Sequence, residues 1–166
     1  MGIFFEITLD ALSNDIGDRG SLCKGNIMGR ILGLDVGDKT IGIALSDELY
    51  WTAQGVMTLK RGGRKKDIPA IVEFARTHDV EEIVLGFPKN MNDTIGERAE
   101  KVLKFSRQLE AQLPKIKISL WDERLTTVAA NNALLEADVS RKKRKEVVDT
   151  VAAVLILQGY LDARSA

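Results

Sequence analysis

The chain of 166 residues has the length of one compact domain, is 45% hydrophobic, and balances 24 Lys and Arg against 24 Asp and Glu. That balance excludes a bulk attraction for polyanions, so any binding of nucleic acid must come from locally clustered charge. No apolar run approaches the ~20 residues that cross a bilayer, and the lone Cys23 cannot form an intrachain disulfide, which fits a reducing, cytoplasmic setting.

Residues 1–27 contain Glu6, Asp10, Asp15 and Asp18, no basic leader and only a short apolar start, so they do not read as a secretion signal. Because Met28-Gly29-Arg30 precedes the first strong strand pattern, this stretch reads as a chain-specific extension or the product of an upstream start codon, ahead of one domain at 28–166. Apolar runs at 31–35, 40–45 and 56–59 predict a three-stranded antiparallel meander. Gly62 and Gly63 break the pattern, and Ile68, Ile71, Phe74 and Ala75 then recur at helical spacing behind Asp67 as N-cap. Residues 82–86 predict a buried strand, 97–113 a helix built on Val102, Leu103, Phe105 and Leu109, and 116–120 another strand. Thr126 and Thr127 can cap a helix running to Ala137, and 147–161 predicts a final, nearly all-apolar helix. A meander followed by alternating strands and helices implies an α/β fold: a mixed five-stranded sheet, antiparallel over its first three strands, with helices on both faces.

Three acidic positions stand out. Asp35 closes an apolar strand just before Gly37, where a backbone without Cβ can approach a phosphate or metal; by alternation it shares a face with Ile31 and Gly33. A plain hairpin turn on Asp35 and Asp38 is the competing explanation. Asp122 and Glu123 follow the strand at 116–120, and adjacent strand residues point to opposite faces, so at most one of them faces a site while the other is free to pair with Arg124. Taken in isolation, a solvated acidic turn ahead of a helix N-terminus is the stronger explanation of the two. Asp149 lies early in the apolar run of the last helix and needs a partner there, because a dry, lone carboxylate costs several kcal/mol. Ala152 and Ala153 let that helix approach a sheet, and a dipole-stabilising Asp in a first turn is the alternative.

These carboxylates form the oxygen-rich, imidazole-free set that Mg²⁺ or Mn²⁺ prefers. His78 is the only histidine, near a helix end, so no Ser-His or Cys-His arrangement offers covalent catalysis and metal-activated water is the natural chemistry. Lys39, Lys89, Asn90, Arg98 and Arg124 are candidate phosphate or substrate contacts, and the run Arg141-Lys142-Lys143-Arg144-Lys145 is placed to track a phosphate backbone beside Asp149. Trp121 suits a base stack or, more simply, the core.

Four motifs in order carry a family resemblance: Leu32 to Gly37 with Ile41 to Asp47, Ile83 to Asn90, Asp122 to Thr127, and Asp149 with Ala152-Ala153 and Ile156-Leu157-Gln158. From about Met28 to Asp162 the chain resembles the YqgF/RuvX family, nucleases described as processing the 5′ end of pre-16S rRNA and as Holliday-junction-resolvase-like. The resemblance implies a ribonuclease H-like fold, a metal site of Asp35, Asp149 and the Asp122-Glu123 motif, with Glu123 favoured, and a cytoplasmic role in ribosome biogenesis. It implies nucleic acid as partner, pre-rRNA ahead of DNA junctions. Asp93 stands where the family usually has glycine, and residues 1–27 have no family counterpart. Two other classes compete: an actin-like or sugar-kinase-like ATPase, whose first phosphate loop Asp35 to Thr40 also resembles but which needs two domains, and a non-catalytic nucleic-acid-binding module.

Overall fold

In a computed structural model of the protein, described over residues 29–89, 95–123 and 141–165, with side chains from 150 onward in the last stretch, the predicted strands form one sheet. Strands β1 (Arg30–Val36), β2 (Thr40–Ser46), β3 (Ala53–Lys60), β4 (Val80–Phe87) and β5 (Lys117–Asp122) lie in the order β3-β2-β1-β4-β5. The β1–β2 and β2–β3 pairs are antiparallel, whereas β1–β4 and β4–β5 are parallel. The expected mixed sheet follows directly: two short connections keep the meander antiparallel, and each later strand returns through a helix.

Helices α1 (Arg64–Thr77) and α2 (Glu97–Gln112) cover one face, where Leu32, Leu34, Ile71, Ile83, Leu85, Val102 and Leu109 are buried together. Helix α3 (Arg141–Ser165) covers the other, with Ile31, Ala44, Val84, Ala153, Ile156, Leu157 and Leu161. The central strands β1 and β4 are therefore apolar on both faces, as a sheet sandwiched by helices requires. The close seating of α3 depends on Gly33: a Cβ there would lie 2.7 Å from Leu157 Cβ and 3.1 Å from the Ala153 carbonyl. No described helix is long and apolar enough to cross a membrane.

Three element starts differ most from the sequence expectation. Helix α1 starts at Arg64 behind Gly63, so Asp67 is not its N-cap. Asp67 sits in the first turn, 1% exposed, and accepts hydrogen bonds from Arg61 Nε (3.0 Å) and the Gly62 N–H (2.8 Å). It fastens the preceding turn instead of capping its own helix. Helix α3 begins at Arg141, not 147, because a run of Arg and Lys contains good helix formers and nothing that ends a helix. Strand β3 also starts earlier than 56, at Ala53, whose N–H is held by Gln158 Oε1 at 2.9 Å. The extension 1–27, the departure at Asp93 and the expected helix from Thr126 to Ala137 lie outside the described residues.

Candidate functional site

The parallel strands β1, β4 and β5 end together at one edge of the sheet, and the acidic motifs converge there. Asp35, the next-to-last residue of β1, has a side chain only 13% exposed. Alternation gives it the face of Gly33, which is the face covered by α3. Glu123 follows the last residue of β5, and its carboxylate leans back over β4. The Cβ of any other residue at Gly86 would meet Glu123 Oε1 at 2.8 Å and press on Ile156 of α3. Glycine at 86 leaves space for that carboxylate over β4, which lies between β5 and β1.

The electrostatics follow. Burial pushes the Glu123 carboxyl above its ordinary value, and the neighbouring Asp35 charge adds to the shift; Arg98 opposes it. Asp35 and Glu123 are therefore close enough to repel. Arg98, on the first turn of α2, pairs with Asp35 at 3.6 Å while remaining half exposed. Asp122 takes a different course: alternation from Trp121, which packs beside α3, sends it toward the other face, where Lys89 approaches it at 3.7 Å. Asp38 is held by Lys101 at 3.1 Å, which draws its carboxyl below the usual value.

Asp149 lies in the ninth position of α3, more than two turns from the helix start, so a first-turn dipole role does not describe it. Its level in the molecule follows from the packing of the same helix. Ala153 lies against Gly33 of β1, while Tyr160 and Arg164 reach Glu82 near the start of β4. Helix α3 thus runs opposite to β1 and β4. Position 149, one turn before Ala153, is displaced by about 6 Å toward the carboxyl edge, and Asp35 lies about 7 Å from Gly33 in the same direction.

Among the described residues no group of three metal-ligating side chains converges. The described pair Asp35 and Glu123 nevertheless fits a hard divalent cation. Both offer carboxylate oxygen, both are largely withdrawn from water, and the Arg98 guanidinium, half exposed, opposes their mutual repulsion. Lys39 is exposed in the β1–β2 turn and Lys89 stands beyond β4. Arg141, Lys142 and Lys143 belong to the first turn of α3, their side chains outside the description; Asn90 and Arg124 lie outside the described residues. His78 stacks on Phe74 with ring centroids 4.0 Å apart at the end of α1, and Trp121 packs edge-on to Tyr160 at 5.7 Å.

Sequence reasoning missed two contributors. Gly86 makes room for Glu123, and a glycine inside an apolar strand is a readable sign of close approach. Arg61 braces the loop after Asp35: its Nη1 donates to the Gly37 carbonyl at 2.9 Å while its Nε holds Asp67. Nothing local in the sequence links residues 37, 61 and 67.

The profile of the RuvX family, described as Holliday junction resolvase, matches residues 29–163. A Clostridium tetani protein named "Putative pre-16S rRNA nuclease" is 58% identical over 134 residues, 81% of this chain and 96% of its own. A protein of the same name from Clostridioides difficile is 59% identical over 134 residues, 81% and 94% of the two chains. Among solved structures, T. thermophilus RuvC in complex with Holliday junction substrate superposes with a TM-score of 0.56 at 10% identity, over 82% of this chain and 96% of that one. The fowlpox virus resolvase complexed with Holliday junction DNA gives 0.51 at 12% identity, over 82% and 99%. At such identities the likeness is one of fold, the ribonuclease H-like fold expected from the sequence.

Proposed function

Because the chain belongs to the RuvX Holliday junction resolvase family, we propose that it is a cytoplasmic, divalent-metal-dependent nuclease that hydrolyses phosphodiester bonds to mature the 5′ end of pre-16S rRNA. The observation that carries the reading is the pairing of Asp35 with Glu123 across Gly86 at the carboxyl edge of β1, β4 and β5. A structural carboxylate is not brought next to another of like charge and away from water without a purpose that repays the repulsion.

Asp35, Glu123 and Asp149 would hold Mg²⁺ or Mn²⁺. When bound, the ion supplies a water acidified enough to attack phosphorus and a positive charge for the departing oxygen. Arg98 orients a phosphate against Asp35, and its half-exposed guanidinium is free to exchange one oxyanion for another. Lys89 holds Asp122 beside the site and offers a second phosphate contact; Lys39, Asn90 and Arg124 remain candidate contacts from the sequence. The basic first turns of α3, Arg141 to Lys145, track the backbone further along. Burial of Asp35 and Glu123 keeps bulk water from competing for their oxygens.

The names of the relatives at 58–59% identity favour pre-rRNA as substrate, and the family description keeps the four-way DNA junction as the second reading. Cleavage of a pre-16S 5′-leader RNA and of a four-way junction, each with Mg²⁺ or Mn²⁺, separates them. We expect wild type to cut the leader and Asp35→Asn to cut neither. Failure of wild type on both substrates with metal present sinks the nuclease reading.

A further inference from the structure

The carboxyl edge does not end at Asp35. Beyond β1 it continues through the turn carrying Lys39, the start of β2 at Thr40, and the end of β3 at Lys60, which pairs with Thr40. Neighbouring strands lie ~4.8 Å apart, so the end of β3 is about 10 Å from β1 along this edge. From there, five of the seven residues 60–66 are basic: Lys60, Arg61, Arg64, Lys65 and Lys66.

Lys39, Lys60, Arg64, Lys65 and Lys66 are exposed, and no carboxylate of the described residues forms an ion pair with any of them. Asp38, the acid nearest in the chain to Lys39, is already taken by Lys101. Asp67, the acid that follows the run, is spent on Arg61 and the Gly62 N–H. A chain with no net charge has thus gathered five exposed cations at this place that form no ion pair among the described residues.

The turn is also fixed to the site. The Arg61 N–H donates to the Lys39 carbonyl at 3.0 Å, and its guanidinium bridges the Gly37 carbonyl and Asp67. The basic turn, the loop after Asp35 and the start of α1 are therefore tied together by hydrogen bonds.

We propose that the turn between β3 and α1 is a second nucleic-acid contact surface, on the side of Asp35 away from Lys89. There Lys39, Lys60, Arg64, Lys65 and Lys66 grip the phosphate backbone of an arm that extends past the scissile phosphate. The location of the cut rests on the nuclease reading above; the binding does not. Phosphate contacts fix register and carry no sequence preference, so the surface selects substrates continued on both sides of the cut.

The test is fluorescence anisotropy with labelled pre-16S leader RNA and with a labelled four-way DNA junction, in EDTA, over a salt series. The fourfold variants K60A/R64A/K65A/K66A and K60Q/R64Q/K65Q/K66Q are compared with R76A, in the last turn of α1. Thermal melts of all three confirm folding. Each phosphate contact removed flattens log K against log salt by about 0.7 to 0.9, so both fourfold variants are expected to lose about 3 units of slope and R76A none. A slope lost with only one of the two nucleic acids supports the surface and identifies the substrate. An unchanged slope with both overturns it, as does wild type binding neither. Wild type that cuts while the slopes stay unchanged overturns this surface alone. Wild type that binds without cutting removes the nuclease reading and leaves the slope to decide the surface.

Discussion

The two ends of the parallel part of the sheet each hold a glutamate out of full contact with water, Glu82 buried and Glu123 half-buried, and treat it in opposite ways. Near the start of β4, Glu82 is 4% exposed and fully engaged: it accepts hydrogen bonds from Ser119 Oγ (2.7 Å), Tyr160 Oη (2.5 Å) and Arg164 Nη1 (3.1 Å), and pairs with Lys117 (2.8 Å). Burial would push its carboxyl up, but the hydrogen bonds from Lys117, Tyr160 and Ser119 outweigh it and hold it below its ordinary value. At the far end, Glu123 is raised by burial and by Asp35, with Arg98 as its opposing cation. A carboxylate whose surroundings favour its charge holds the fold together, whereas one whose surroundings resist its charge is poised for something that arrives later.

Both ends depend on one helix, and the largest expected effect cuts that dependence. Gly33→Val places side-chain atoms into Leu157 Cβ and the Ala153 backbone carbonyl, neither of which can rotate away without moving the helix. Overpacking at such a contact costs about 3 kcal/mol or more, read as a fall in the urea midpoint. It should release Tyr160 and Arg164 from Glu82 and displace position 149 together, so the comparison breaks if stability falls while cleavage is untouched.

Asp35→Asn isolates the far end. Cleavage should fall by about 100-fold or more, some 2.7 kcal/mol of transition-state stabilisation. The same substitution should abolish the rise in melting temperature that Mn²⁺ gives wild type, since a ligand stabilises only the state that binds it. A full Mn²⁺ shift in the variant would mean that the ion sits elsewhere.

Much of this was legible in the sequence. Short apolar runs marked β1, β2, β4 and β5 nearly to their ends, and a four-residue turn followed by a looser connection foretold the antiparallel meander. The acidic positions were legible as candidates but not as a pair: the room that Glu123 occupies beside Asp35 lies over the glycine at 86, on a different strand. Asp67 read as an N-cap because Asp before an apolar helix usually is one; its engagement by Arg61 and Gly62 is tertiary. The Glu82 cluster was invisible for the same reason, its partners lying 35 to 82 residues away along the chain.

The near end is sharpened by Tyr160→Phe, which removes one hydroxyl donor from a buried carboxylate. The expected cost is about 2 kcal/mol, in the range for hydrogen bonds to charged groups, with cleavage unchanged. Because Glu82 is lowered in the fold, its contribution is present above the ordinary glutamate range and lost as pH falls through its folded value. The penalty of Tyr160→Phe should therefore shrink in acid, as followed by chemical denaturation at several pH values.

Glu123→Gln should have the smallest effect on stability and the opposite sign. The Glu123 carboxyl is raised in the fold, so the native state holds its proton more tightly than the unfolded chain does. Its favourable contribution is present below the ordinary glutamate range and is lost as pH rises through the raised folded value. At neutral pH without metal the charge is a burden that glutamine lacks, and the variant should melt above wild type. In acid below the ordinary range the carboxyl is protonated in both states, and the gain should vanish. Adding Mn²⁺ at neutral pH should reverse the order, because only wild type then offers the ion a charged oxygen over Gly86. A metal-free variant less stable than wild type at neutral pH would place Glu123 with Glu82, as a carboxylate that the fold already satisfies.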